Sequence, residues 1–82
     1  MAFTYILFSE RLDKFYIGHT ESSVEERLQK HLSNHDGFTS KAKDWQVVFI
    51  REFEDKSAAF AFERKIKSWK SRAAIEKLIS GA

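Results

Sequence analysis

At 82 residues, 43% hydrophobic and 32% charged, the chain has room for one globular domain, residues 1–82, and is neither a disordered nor a fibrous protein. The lack of cysteine excludes a disulfide scaffold, a thiolate zinc site and cysteine catalysis. No apolar run nears the ~18 residues of a membrane span, so a cytoplasmic protein with no membrane partner is expected. Net charge is only +2, yet residues 64–77 hold Arg64, Lys65, Lys67, Lys70, Arg72 and Lys77 against Glu76 alone. That polarity suits either an anionic partner such as nucleic acid or a solvated basic helix face.

Residues 3–8, Phe-Thr-Tyr-Ile-Leu-Phe, are aromatic and β-branched and predict a buried strand. Residues 9–13 are polar apart from Leu12 and predict a turn, after which residues 14–18 resume strand character and complete a hairpin. Ser22 or Ser23 can cap a helix whose apolar stripe is Val24, Leu28 and Leu32, spaced every four residues. Asn, Asp and Gly cluster at 34–37 and should end it, with a polar connector over 38–44. Residues 45–53 predict the strongest strand, with Trp45, Val47, Phe49 and Phe53 on one parity. Glu54-Asp55-Lys56-Ser57 opens a second long helix that turns Ala59, Phe62, Ile66 and Trp69 inward, and Ser71 caps a short last helix. The expected fold is α+β: a three-stranded antiparallel sheet in the order 2-1-3, flanked by helices, with element order β-β-α-β-α-α.

Three polar placements on these elements could carry chemistry. Arg27 and His31 lie four apart along one flank of the first helix's apolar stripe. They are either a surface arginine beside a half-buried histidine or an anion clamp. Glu63 borders the buried stripe of the second long helix, where it either pairs with Lys67 one turn on or holds a hard divalent cation through oxygen. Tyr5 and Tyr16, the only tyrosines, sit one in each hairpin strand, and a buried tyrosine hydroxyl ordinarily just finds a hydrogen-bond partner. Gly18, directly after Tyr16-Ile17, permits a close approach of backbone or ligand.

Together these pieces resemble the GIY-YIG nuclease superfamily, in its short stand-alone bacterial form, related to the N-terminal nuclease domain of UvrC. The second signature triplet stands as Tyr16-Ile17-Gly18, and of the first only Tyr5 remains, in Phe3-Thr4-Tyr5. Arg27-Leu28-Gln29-Lys30-His31 matches the family's Arg-x-x-x-His helix motif. Thr39, Lys41 and Trp45 resemble its connector into a Trp-led third strand, with Asp44 where proline is common. The segment from Ala61 to Trp69 resembles the one bearing the family's metal-binding glutamate, here Glu63, with no Asn following it.

The resemblance implies an endonuclease that hydrolyses DNA phosphodiester bonds, in repair or recombination, with one Mg²⁺ or Mn²⁺ on Glu63. Its implied catalytic residues are Tyr5, Tyr16, Arg27, His31 and Glu63. Arg27 would stabilise charge on the phosphoryl oxygens, Tyr16 or His31 would act as general base, and Tyr5 would help orient water and phosphate. Lys14, Lys41, Arg64, Lys67 and Lys70 would contact the DNA backbone. The alternative is a non-catalytic nucleic-acid-binding module of the same fold.

Overall fold

The computed structural model describes residues 1–33 and 42–81. The expected helix end at 34–37, Thr39, Lys41 and the side chain of His31 lie outside the described residues. Strand β1 (Ala2–Ser9) pairs antiparallel with β2 (Lys14–Thr20) on one side and with β3 (Gln46–Phe53) on the other, giving the order β2-β1-β3. Helix α1 (Val24–Ser33) links β2 towards β3, and α2 (Lys56–Trp69) and α3 (Arg72–Ser80) follow β3. The architecture is the α+β one read from the sequence.

The central position of β1 explains its unbroken apolar run, because a strand covered on both faces has no solvent side. Tyr5 and Leu7 face α1, in a cluster with Val24 and Trp45 against which Leu28, Leu32, Tyr16 and Val47 pack. Ile6 faces the other way, with Ile17 and Ile66, and is covered by Phe62 and Trp69 of α2 and by Ile75, Leu78 and Ile79 of α3. Ile6, Leu7 and Ile66 are fully buried. Each contributes about 1.5–3 kcal/mol through burial alone, and truncating Ile6 to alanine should cost about 2–5 kcal/mol.

The third strand departs from the expected single parity. Ile6 pairs with Phe49 and the next residue, Leu7, pairs with Val47, so Val48 is an extra residue forming a bulge. A bulge reverses which face later residues occupy. Trp45 and Val47 therefore lie on the α1 side, whereas Phe49 packs against Phe62 on the α2 side, as does Phe53. Trp45 itself precedes the strand.

Side-chain caps set the helix starts. Ser23 Oγ accepts from Glu25 N at 3.1 Å, Asp55 Oδ1 from Ala58 N at 2.8 Å, and Ser71 Oγ from Ala74 N at 3.2 Å, each meeting an amide that the first helical turn leaves unpaired. A fourth contact fixes α2 along the sheet: the buried Thr4 hydroxyl donates to the Ala59 carbonyl at 2.7 Å. The hairpin turn is braced from a distance by Asp44. Ser9 Oγ donates to Oδ1 at 2.6 Å and Arg11 N to Oδ2 at 2.9 Å, while Leu12 N donates to Ser9 Oγ at 3.1 Å. These bonds hold the Asp44 carboxyl below its ordinary pKa, the Ser9 bond most of all.

Candidate active site

The β1–β2 register sets Tyr5 opposite Gly18. A β-carbon at Gly18 would lie 2.6 Å from the Tyr5 hydroxyl oxygen, so only glycine lets the ring lie across β2. Tyr5 is 1% exposed. Its burial raises the hydroxyl above its ordinary value near 10, against the opposing pull of a hydrogen bond from Arg27. The phenol thus stays protonated and serves as a neutral strut for the guanidinium.

Arg27 reaches this position from the first turns of α1, beside the stripe that packs on the same sheet face. Its Nε is buried and has no hydrogen-bond partner among the described residues. Leaving a buried donor unmatched costs about 1–3 kcal/mol, and more when it is charged. A guanidinium is the side chain whose donor fork matches the paired oxygens of an anion. Tyr16 stands beside this pair, its ring edge-on to Trp45 at 6.5 Å, and both Tyr16 and Glu63 lie within electrostatic reach of the Tyr5 hydroxyl.

Glu63 comes from the opposite side of the sheet. It is the only carboxylate of α2, and its side chain is 9% exposed. His19 Nδ1 lies 2.6 Å from Oε1, and Lys67 Nζ donates to Oε2 at 2.9 Å. A carboxylate only accepts, so the hydrogen sits on Nδ1 of His19. Both partners matter: the one-turn pair with Lys67 is present, and so is a second contact that the sequence reading does not contain. The expected strand end at Gly18 is corrected by β2 running on to Thr20. Alternation after Phe15 and Ile17 then places His19 on the α2 face, and following that period two residues further would have found it. The His19 ring also contacts that of Phe60 at 4.9 Å, and with Lys56, Ser57 and Phe60 it lines an open hollow of about 370 Å³.

Arg27, Tyr16 and Glu63 thus all lie within reach of the Tyr5 hydroxyl, and His19 adds a contact to Glu63. His31 lies on α1 but its side chain is outside the described residues. Of the residues expected at the nucleic-acid interface, Lys14, Lys67 and Lys70 line one hollow and Arg64 lies over the Phe60 ring at 5.7 Å.

A family model described as the GIY-YIG catalytic domain matches residues 1–77, nearly the whole chain. The chain belongs to the GIY-YIG nuclease superfamily. No curated protein and no solved structure matches it significantly.

The site chemistry of this GIY-YIG domain bears on the divalent cation that the family uses. No group of three or more His, Cys, Asp or Glu side chains gathers among the described residues. A single carboxylate suits one hard cation that keeps most of its water. Glu63 Oε1 and Oε2 each accept one hydrogen bond, and a carboxylate offers about four lone-pair positions in all. One Mg²⁺ or Mn²⁺ therefore fits at Glu63, and no helix among the described residues is long and apolar enough to cross a membrane.

Proposed function

We propose that this domain is a divalent-metal-dependent endonuclease that hydrolyses DNA phosphodiester bonds, with a role in DNA repair or recombination. The observation that carries the reading is Arg27 hydrogen-bonded to the buried Tyr5, with Glu63 within electrostatic reach of that tyrosine, in a chain that matches the GIY-YIG catalytic domain. A phosphodiester supplies the two oxygens such a fork would bind.

Arg27 binds the scissile phosphate and stabilises the charge that grows on its oxygens as water attacks. Tyr5 positions the guanidinium and stays neutral. Tyr16 takes the proton of the attacking water, and His31 is the alternative base. Glu63 would hold the cation, which would supply charge neutralisation and a lowered pKa for coordinated water. His19 fixes the orientation of the Glu63 carboxylate, the part that outer-sphere groups play at metal sites. Lys14, Lys41, Arg64, Lys67 and Lys70 contact the DNA backbone, so binding is largely independent of sequence and falls steeply with salt.

Nicking of supercoiled and branched DNA, with and without Mg²⁺ or Mn²⁺, tests the reading. Metal-dependent cleavage that chelation abolishes is the expected result. If the purified protein binds DNA but cleaves nothing under any divalent cation, the domain is a binding module of the same fold.

A further inference from the structure

A second hollow, of about 390 Å³, opens between the start of β2 and the corner joining α2 to α3. It is distinct from the one beside His19. Its floor is apolar, with Phe15 and Ile75 partly exposed over the buried Ile17 and Ile66, and Lys14, Lys67 and Lys70 also line it. Ligand sites commonly measure roughly 300–1,000 Å³, with apolar walls and a few placed charges. A solvated basic face does not need an apolar floor, and a core does not need three lysines in its lining.

The charges are set by the backbone. Lys70 closes α2 in a left-handed conformation at φ 49°, a state unfavourable for a residue with a side chain, and it has no ion-pair partner among the described residues. The acid at the rim, Asp13, is held by Arg72, whose Nη2 donates to Oδ1 at 2.7 Å and Nη1 to the Asp13 carbonyl at 3.0 Å, while its Nε donates to Glu76 at 3.1 Å. Lys67 connects the hollow to the candidate active site, since it lines the one and bonds the Glu63 carboxylate of the other.

We propose that this hollow receives one unpaired nucleotide of the DNA substrate, the base on the apolar floor and its phosphate among the lysines. The identity of the ligand as DNA rests on the nuclease reading above; the fit of a base plus a phosphate rests on the hollow itself. An apolar surface ringed by cations complements the two halves of a nucleotide. Bases in a duplex are stacked and cannot reach such a floor, so the domain prefers DNA with a flap, gap or frayed end next to the cleavage point.

Binding of deoxythymidine monophosphate, followed by backbone amide shifts, tests this without requiring cleavage. The expected result is perturbation centred on Lys14, Phe15, Ser71 and Ile75, with deoxyribose 5-phosphate binding at least about tenfold more weakly. Lys70→Gly suits the left-handed backbone and should stay folded. It should weaken the nucleotide roughly three- to tenfold and lower the salt slope for flapped DNA by about one. Equal binding of the nucleotide and the sugar phosphate would overturn the proposal, as would shifts centred elsewhere or an unchanged affinity in Lys70→Gly. Nucleotide binding in the hollow by a protein that never cleaves DNA would sink the nuclease reading and leave this one standing.

Discussion

Tyr5 and Gly18 face each other across the β1–β2 ladder so closely that a single added carbon on Gly18 would sit 2.6 Å from the tyrosine oxygen. Since Tyr5 also holds Arg27, the glycine controls where the guanidinium lies. Gly18→Ala should cost about 1–3 kcal/mol through overpacking and reduce cleavage by more than about tenfold through misplacement of the clamp. Thermal melts and single-turnover nicking on one preparation check both effects. Wild-type cleavage in the alanine variant would show that the ring is free to move.

Arg27→Ala removes a group beside the apolar stripe that brings an unmatched buried donor with it. The fold should therefore lose little stability, while cleavage should fall about 100- to 1000-fold, the usual loss for one donor to a developing charge. Arg27→Lys should recover only a small part, because an ammonium cannot present two parallel donors. Rates with saturating DNA, beside a melting curve for each variant, decide the matter.

Glu63 and His19 should respond differently. Glu63→Gln keeps the shape but loses the charge that holds a cation, so nicking should drop to background while DNA binding persists or tightens. His19→Ala leaves the carboxylate in place but unsteadied, and should weaken Mn²⁺ binding and cleavage about 10- to 100-fold. Titration of Mn²⁺ by calorimetry separates the two, since loss of affinity should be complete in the first and partial in the second.

Acid should reveal the brace at the hairpin turn. Asp44 has a folded-state pKa held below its ordinary 3.8 by the Ser9 and Arg11 bonds. Its stabilising contribution is thus full above about pH 3.8 and disappears as pH falls through the lower folded value. Asp13, lowered by its bond to Arg72, acts in the same direction. Asp44→Asn should melt at a lower temperature at neutral pH and lose less on further acidification than the wild type does. Parallel melting curves for the two proteins between neutrality and strong acid would reject the brace if the stability difference did not shrink.

Periodicity carried most of the fold. Residues 3–8 and 14–18 read as strands because both alternate or saturate with β-formers, and Ser71 read as a cap because it precedes an apolar helical stripe. The face of Phe49 was not legible, because an extra residue at Val48 leaves no mark in composition yet turns every later side chain over. The clustering of Tyr5, Tyr16 and Arg27 follows from strand pairing and the flank of α1, both visible in spacing. Glu63 was visible as a carboxylate at the margin of a buried stripe. Its bond to His19 spans 44 positions and depends on how α2 lies across β2, which no local pattern encodes. Asp44 is the same kind of case: a residue that looks like a departure from the family's proline is the anchor of a turn more than thirty positions away.

The Thr4–Ala59 hydrogen bond touches neither half of the candidate site, yet it works as the stop on a sliding ruler. Tyr5, Tyr16 and Arg27 ride on β1, β2 and α1, and Glu63 rides on α2. The Ala59 carbonyl is one helical turn before Glu63, about 6 Å along the axis. A shift of α2 by one residue would carry the carboxylate away from His19 while every named side chain remained in the sequence. Possession of the signature residues is consequently no guarantee of activity in a chain of this kind: two chains with identical catalytic sets can differ in whether those sets ever meet, according to a hydroxyl on the central strand.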